Sequence, residues 1–135
     1  MLRVVFDTNV LVSSIIYVGK SSLLIDAVLE GKIMLITSTP IIREFRGVIA
    51  RDKFKLSKIQ QTTLTNFLLR ICRIIKIKSR FKAIEGDPSD DVVLRTAVDG
   101  KADFIVSGDE HLLSLKEFGR VKIMTVSEIL DLTRE

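Results

Sequence analysis

The chain has 135 residues, 47% of them hydrophobic and 28% charged, a composition that suits one globular domain with a single core and excludes intrinsic disorder. One cysteine, Cys72, excludes an internal disulfide and a cysteine zinc site, and one histidine, His111, excludes a multi-histidine metal site, leaving oxygen ligands for any metal. The net charge of +4 is unevenly spread: residues 46 to 82 hold eleven Lys/Arg and one acid, Asp52, whereas the rest of the chain is net acidic.

Val4, Val5 and Phe6 predict a first strand, ended by Asp7, Thr8 and Asn9, whose short polar side chains can cap a helix. Residues 21 to 30 start with serines, carry Leu24 and Val28 at helical spacing and stop at Gly31. A strand follows over Ile33 to Ile36, and then a helix with Thr39 as expected N-cap and Pro40 at its first position, bearing Glu44. Ser57 to Arg70 reads as the next helix, with Ile59, Leu64, Phe67, Leu68 and Ile71 on its apolar side. Ile74, Ile75 and Ile77 read as a strand, and the alternating basic residues that follow suit a sheet edge. Asp87 and Pro88 start a helix that ends at Gly100; Asp103 to Ser107 is a strand, Gly108 and Asp109 open a short helix, and Val121 to Met124 and Val126 to Leu132 form a last strand and helix.

Strands alternating with helices predict an α/β domain over residues 1 to 135: a three-layer α/β/α arrangement around a parallel sheet of about five strands. Active sites of such sheets gather at the carboxyl ends of the strands. That rule selects Asp7 after the first strand, Glu44 one turn into the helix after the second, the group Asp87, Asp90 and Asp91, and Asp109 after the late strand. Each acid alone has an ordinary role as a cap, a solvated side chain or a helix-dipole partner. Together in one cleft they would repel one another unless a cation neutralised them, and oxygen-only ligation suits Mg²⁺ or Mn²⁺, which activate water and polarise phosphoryl oxygens.

The segments FDTNVLVSSI, TPIIREF, DPSDDVVLRTA and KADFIVSGDEHLL, in this order, resemble the PIN-domain nucleases, and within them VapC-type toxins, over nearly the whole chain. The resemblance implies a metal-dependent endoribonuclease in which Asp7, Glu44, Asp90 and Asp109 bind one or two Mg²⁺ or Mn²⁺ ions, supported by Asn9 and Ser107. Asp90 is favoured over Asp91 as the principal ligand because it shares a helix face with Leu94 and Ala97; Asp91 is then an outer helper and Asp87 the cap.

Arg51, Lys53 and Lys55 beside Phe54 are the expected RNA-facing loop. His111 is left out of catalysis, and Cys72 is expected to be a buried structural thiol. Further expectations are a cytoplasmic location without membrane contact, a small antitoxin partner and a homodimer formed through an exposed apolar face over Leu64 to Ile71. The competing readings are a weakly or non-catalytic RNA-binding PIN domain in a larger assembly, and a phosphatase or phospho-acceptor with Asp7 as nucleophile. The latter wants an aspartate where this chain has Asn9.

Overall fold

The computed structural model describes residues 1–83 and 88–134. In chain order the elements are β1 (Leu2–Phe6), α1 (Thr8–Ile16), α2 (Ser22–Leu29), β2 (Ile33–Ser38), α3 (Thr39–Ile49), a 3₁₀ turn (Asp52–Phe54), α4 (Lys58–Ile71), β3 (Cys72–Ile75), α5 (Pro88–Asp99), β4 (Phe104–Val106), α6 (Glu110–Leu115), β5 (Glu117–Phe118), β6 (Val121–Met124) and α7 (Val126–Thr133). The sheet has six strands among the described residues, in the order β3-β2-β1-β4-β6-β5. All neighbours are parallel except the two-residue β5, which turns back antiparallel on β6 and is the strand absent from the sequence expectation.

The parallel pairs need helical crossovers, and the central strands they serve are apolar on both faces. Val4, Val5, Phe6, Leu35, Ile36, Ile105 and Val106 are each at most 1% exposed. Helix α5 packs over β1, β2 and β4, while α2 lies against β2 and α7, giving a sheet flanked by helices. The end of α5 comes so close to the sheet that a Cβ on Gly100 would lie 2.7 Å from Ile36 Cγ2 and 2.8 Å from Thr96 O. Only glycine fits there without displacement. Arg3 fastens the start of β1 to the same corner, its guanidinium donating to the carbonyls of Gly100 (2.6 Å) and Lys101 (3.1 Å).

Several local expectations shift. From the sequence, the residues after β1 have capping side chains but no helix of their own before residue 21, whereas Thr8–Ile16 is a full helix, with Asp7 as its cap. Helix α3 is capped at Ser38 rather than Thr39, with no side-chain bond to its own backbone, because the Ser38 hydroxyl is engaged 2.8 Å from Thr96 Oγ1 of α5. The edge strand β3 ends at Ile75, two residues before the expected Ile77. Just beyond, Asp99 accepts from the backbone N–H groups of Lys78 and Ser79 at 2.7 and 2.8 Å, which holds the chain there to the end of α5. The expected Asp87 cap lies outside the described residues.

Helix α4 starts with a capping box between Ser57 and Gln60, but its apolar side is turned inward. Leu68 is fully buried, and Leu64, Phe67 and Ile71 are half-buried against the core. Ile59, counted on that side from the sequence, is 80% exposed instead. The exposed apolar face expected for a dimer is therefore used within the chain, leaving Leu69 as its outward-facing apolar residue. Cys72 is half-buried rather than buried, and that burial pushes its thiol pKa up. Among the described residues, no helix is long and apolar enough to cross a membrane.

Candidate active site

Strand order reverses at β1: the chain moves one way to β2 and β3, and returns to place β4 on the other side. Parallel sheets open a crevice at such a switch point, beyond the carboxyl ends of the two strands. Here Asp7 directly follows β1 and Ser107 directly follows β4, so the pairing of Phe6 with Val106 brings these two side chains together from distant parts of the chain. The ladder continues to the cleft floor, where Asp7 N donates to Val106 O at 3.1 Å.

Asp7 has two structural tasks. Its Oδ1 accepts from Val10 N at 2.8 Å and so caps α1, while Oδ2 accepts a short hydrogen bond from Ser107 Oγ. Capping and site chemistry are therefore not alternatives at this position. The carboxyl is 6% exposed, and burial raises its pKa above the ordinary aspartate value. The bonds from Ser107 and Val10 oppose that shift, whereas the charges of Asp109 and Glu44 add to it. Burial is thus the main cause of the shift, and the neighbouring carboxylates are a smaller one of the same sign.

Ser107 is fully buried and passes the connection on, because its Oγ accepts from Asp109 N at 2.9 Å. Asp109 is in turn the N-cap of α6, with Oδ1 accepting from His111 N at 3.2 Å. Asp7, Ser107 and Asp109 thus form one hydrogen-bonded run from the end of β1 to the start of α6.

The remaining acids arrive from the flanking helices. Glu44 lies on α3, exposed, with Val48 one turn on along the same helix face, and Arg51, just beyond the end of α3, also lines the cleft. Asp90 stands in the first turn of α5, buried, and lines the cleft opposite together with Val93. The neighbouring Asp91 is also buried, but its Oδ1 accepts from Ala83 N at 2.7 Å, and it does not line the cleft. A rotation of about 100° per residue separates the two side chains on the helix.

The resulting cleft has a volume of about 640 Å³. It gathers Asp7, Glu44, Asp90 and Asp109 with Asn9 and Arg51; Asp91, Lys53 and Lys55 are not among its walls. Lys53 instead lies over the ring of Phe54, 5.0 Å from its centroid, and Phe54 pairs with Tyr17. Ser107 supports the cleft from beneath. Thr8, Ser89 and His111 also line it although the sequence did not single them out for the site. For His111 the available signal was its position two residues after Asp109, at the start of a helix that opens on the cleft.

The donors are carboxylate oxygens with hydroxyl and amide support, the chemistry a hard divalent cation takes. Among the described residues, no three acid, histidine or cysteine side chains are drawn together tightly enough to hold an ion by themselves. That spread still fits Mg²⁺-type binding, which commonly uses one or two carboxylates, retained waters and substrate phosphate oxygens rather than an all-protein cage.

Comparison with curated proteins gives no match. A family model described as "PIN domain" matches residues 3–111, a span that runs from β1 into α6 and contains all four cleft acids. With that match over most of its length and an α/β/α fold that opens its cleft at the β1/β4 switch point, the chain belongs to the PIN-domain family, whose members are generally nucleases that use divalent metal ions.

Proposed function

We propose that this protein is a metal-dependent endoribonuclease that hydrolyses RNA phosphodiester bonds in the β1/β4 cleft, and that it acts in the cytoplasm as the toxin of a toxin–antitoxin pair. The observation that carries the nuclease reading is the meeting of Asp7, Glu44, Asp90 and Asp109, from four separate chain segments, around one cleft. Asp7 and Asp90 would hold one or two Mg²⁺ or Mn²⁺ ions, with Glu44 and Asp109 completing the site directly or through water. Such an ion, when bound, polarises a phosphoryl oxygen and lowers the pKa of a coordinated water.

The chain's own groups prepare the site for that role. Ser107 and the backbone of Val10 hold Asp7 in one orientation and favour its anion against the cost of burial. The cap on α6 fixes Asp109 relative to Ser107. Arg51 supplies a positive charge among the residues lining the cleft, where it can bind a substrate phosphate, and Asn9 offers an exposed amide two residues after Asp7. Val48 and Val93 provide the apolar parts of the cleft lining.

The test is a panel of single-stranded and structured RNAs incubated with Mg²⁺, Mn²⁺ or EDTA, with Asp7→Asn in parallel. Metal-dependent cleavage that the variant lacks is the expected result. RNA that is bound but never cut would replace the nuclease reading with that of a binding module.

A further inference from the structure

A second groove, of about 610 Å³, runs between α3 and α4 on the far side of α3 from the cleft. Arg43 and Arg46 line it from α3 and Lys58 and Asn66 from α4, with Leu69 at its apolar end and, among the described residues, no acid in its walls. The ion pairs among the described residues are Lys32–Glu30 and Arg134–Asp131, so the groove's three cations are not neutralised by an ion pair there. Helix α3 is the ridge between groove and cleft: Arg43, Arg46 and Gly47 line the groove, and Glu44 and Val48 the cleft.

Gly47 is the odd residue of that ridge. It stands inside a helix, where glycine costs stability relative to alanine. Its φ is not positive, and a Cβ there would meet no atom within 4 Å, so neither backbone conformation nor packing within the chain asks for glycine. A bare backbone at this point does allow a ligand to cross α3 closely.

Building on the nuclease reading above, we infer that the α3/α4 groove binds the single-stranded RNA outside the cleft, its phosphates on Arg43, Arg46 and Lys58 and the strand crossing α3 at Gly47. Cations aligned along a groove with an apolar end suit a polynucleotide, whose phosphates and bases need both. An acidic peptide would also find the charge, but continuity with a phosphodiester-binding cleft across a glycine favours the nucleic acid.

The test is fluorescence anisotropy of a labelled 12-nucleotide oligouridylate with EDTA present, titrated at several salt concentrations, with the RNA cleavage panel run alongside. For Arg43→Gln/Arg46→Gln the expected result is at least about a tenfold loss of affinity, with a salt slope smaller by about 1.4, or 0.7 for each phosphate contact removed. Gly47→Leu is expected to weaken binding at least about fivefold while melting no lower than the wild type, because leucine is the better helix former. Wild-type affinity and slope in both variants, with binding lost in Arg51→Gln, would overturn the groove and leave the nuclease reading intact. A polyglutamate peptide that binds wild type but not the double variant, while both bind RNA equally, would assign the groove to an acidic protein partner and overturn it too. Failure of the wild type both to bind and to cleave RNA would remove the nuclease reading and this inference together.

Discussion

Ser107→Ala tests how the cleft is held. Ser107 Oγ donates to Asp7 Oδ2 and accepts from Asp109 N, and the residue is fully buried. Alanine keeps the Cβ, so little cavity forms, but both bonds go. A lost hydrogen bond to a charged group costs about 1.5–3 kcal/mol, and an unsatisfied backbone N–H about 1 kcal/mol when partly buried, for a total of roughly 2.5–4 kcal/mol. In a domain of this size that lowers the melting midpoint by about 6–16 °C. Urea denaturation of the metal-free protein measures it directly. The Asp7→Asn background separates the two bonds: without the carboxylate, the same substitution should cost only about 1–2 kcal/mol, a coupling of about 1–2 kcal/mol.

The pH dependence has a definite sign. Burial raises the Asp7 pKa, so its folded-state contribution is fully present below the ordinary aspartate value of about 3.9 and is lost as pH rises through the folded-state value. Removing Ser107 raises that pKa further and enlarges the loss. The gap between wild type and Ser107→Ala should therefore be largest near neutral pH and shrink toward acid, where the charge-assisted bond becomes a neutral one. Additive effects of the two substitutions within about 0.5 kcal/mol, or a gap independent of pH, would refute the coupling of Ser107 to an ionised Asp7.

Other substitutions separate structure from chemistry. Asp7→Asn relieves a buried, mutually repelled anion while an amide oxygen can still cap α1, so in metal-free buffer at neutral pH it should melt at or above the wild-type temperature, and calorimetry should show no stabilisation by added Mn²⁺. Asp91→Ala removes the acceptor for Ala83 N and should cost about 1–3 kcal/mol by urea denaturation while leaving Mn²⁺ stabilisation in place; Asp90→Asn should do the reverse. Leu68→Ala, at a fully buried position of α4, should destabilise by about 2–5 kcal/mol without changing the metal response of the folded protein. Gly100→Ala forces a Cβ into Ile36 and the Thr96 carbonyl, and a lower denaturation midpoint than that of Gly47→Ala, where nothing is met, checks it.

Much of the architecture could be read from residue order, because its signals are local. Apolar runs at Val4–Phe6 and Ile33–Ile36 have no way to bury both faces except as inner strands, the alternation of Val121 and Ile123 with Lys122 suits a strand buried on one face, and Pro40 and Pro88 mark helix starts by chemistry that acts within a few residues. The rule that polar residues after parallel strands face the crevice was enough to nominate Asp7, Glu44, Asp109 and the group Asp87, Asp90 and Asp91, from which the PIN-domain resemblance favoured Asp90. What residue order could not decide were competitions between distant partners for one group. The cap of α3 was expected at Thr39 but falls on Ser38, whose hydroxyl is engaged by Thr96 from another helix, and β3 lost its last expected residues next to the backbone that Asp99 captures from another element.

The same division runs through the site. Sequence by itself determined which acids stand at the carboxyl ends of strands, since alternation and turn chemistry are written in neighbouring residues. Only the tertiary structure decided that Ser107 joins Asp7 to Asp109, that Asp91 turns to Ala83 while Asp90 meets the cleft, and that the apolar side of α4 is spent inside the chain. Those outcomes depend on which strands become neighbours, and the order β2-β1-β4 is set by burying the whole sheet at once rather than by any local segment.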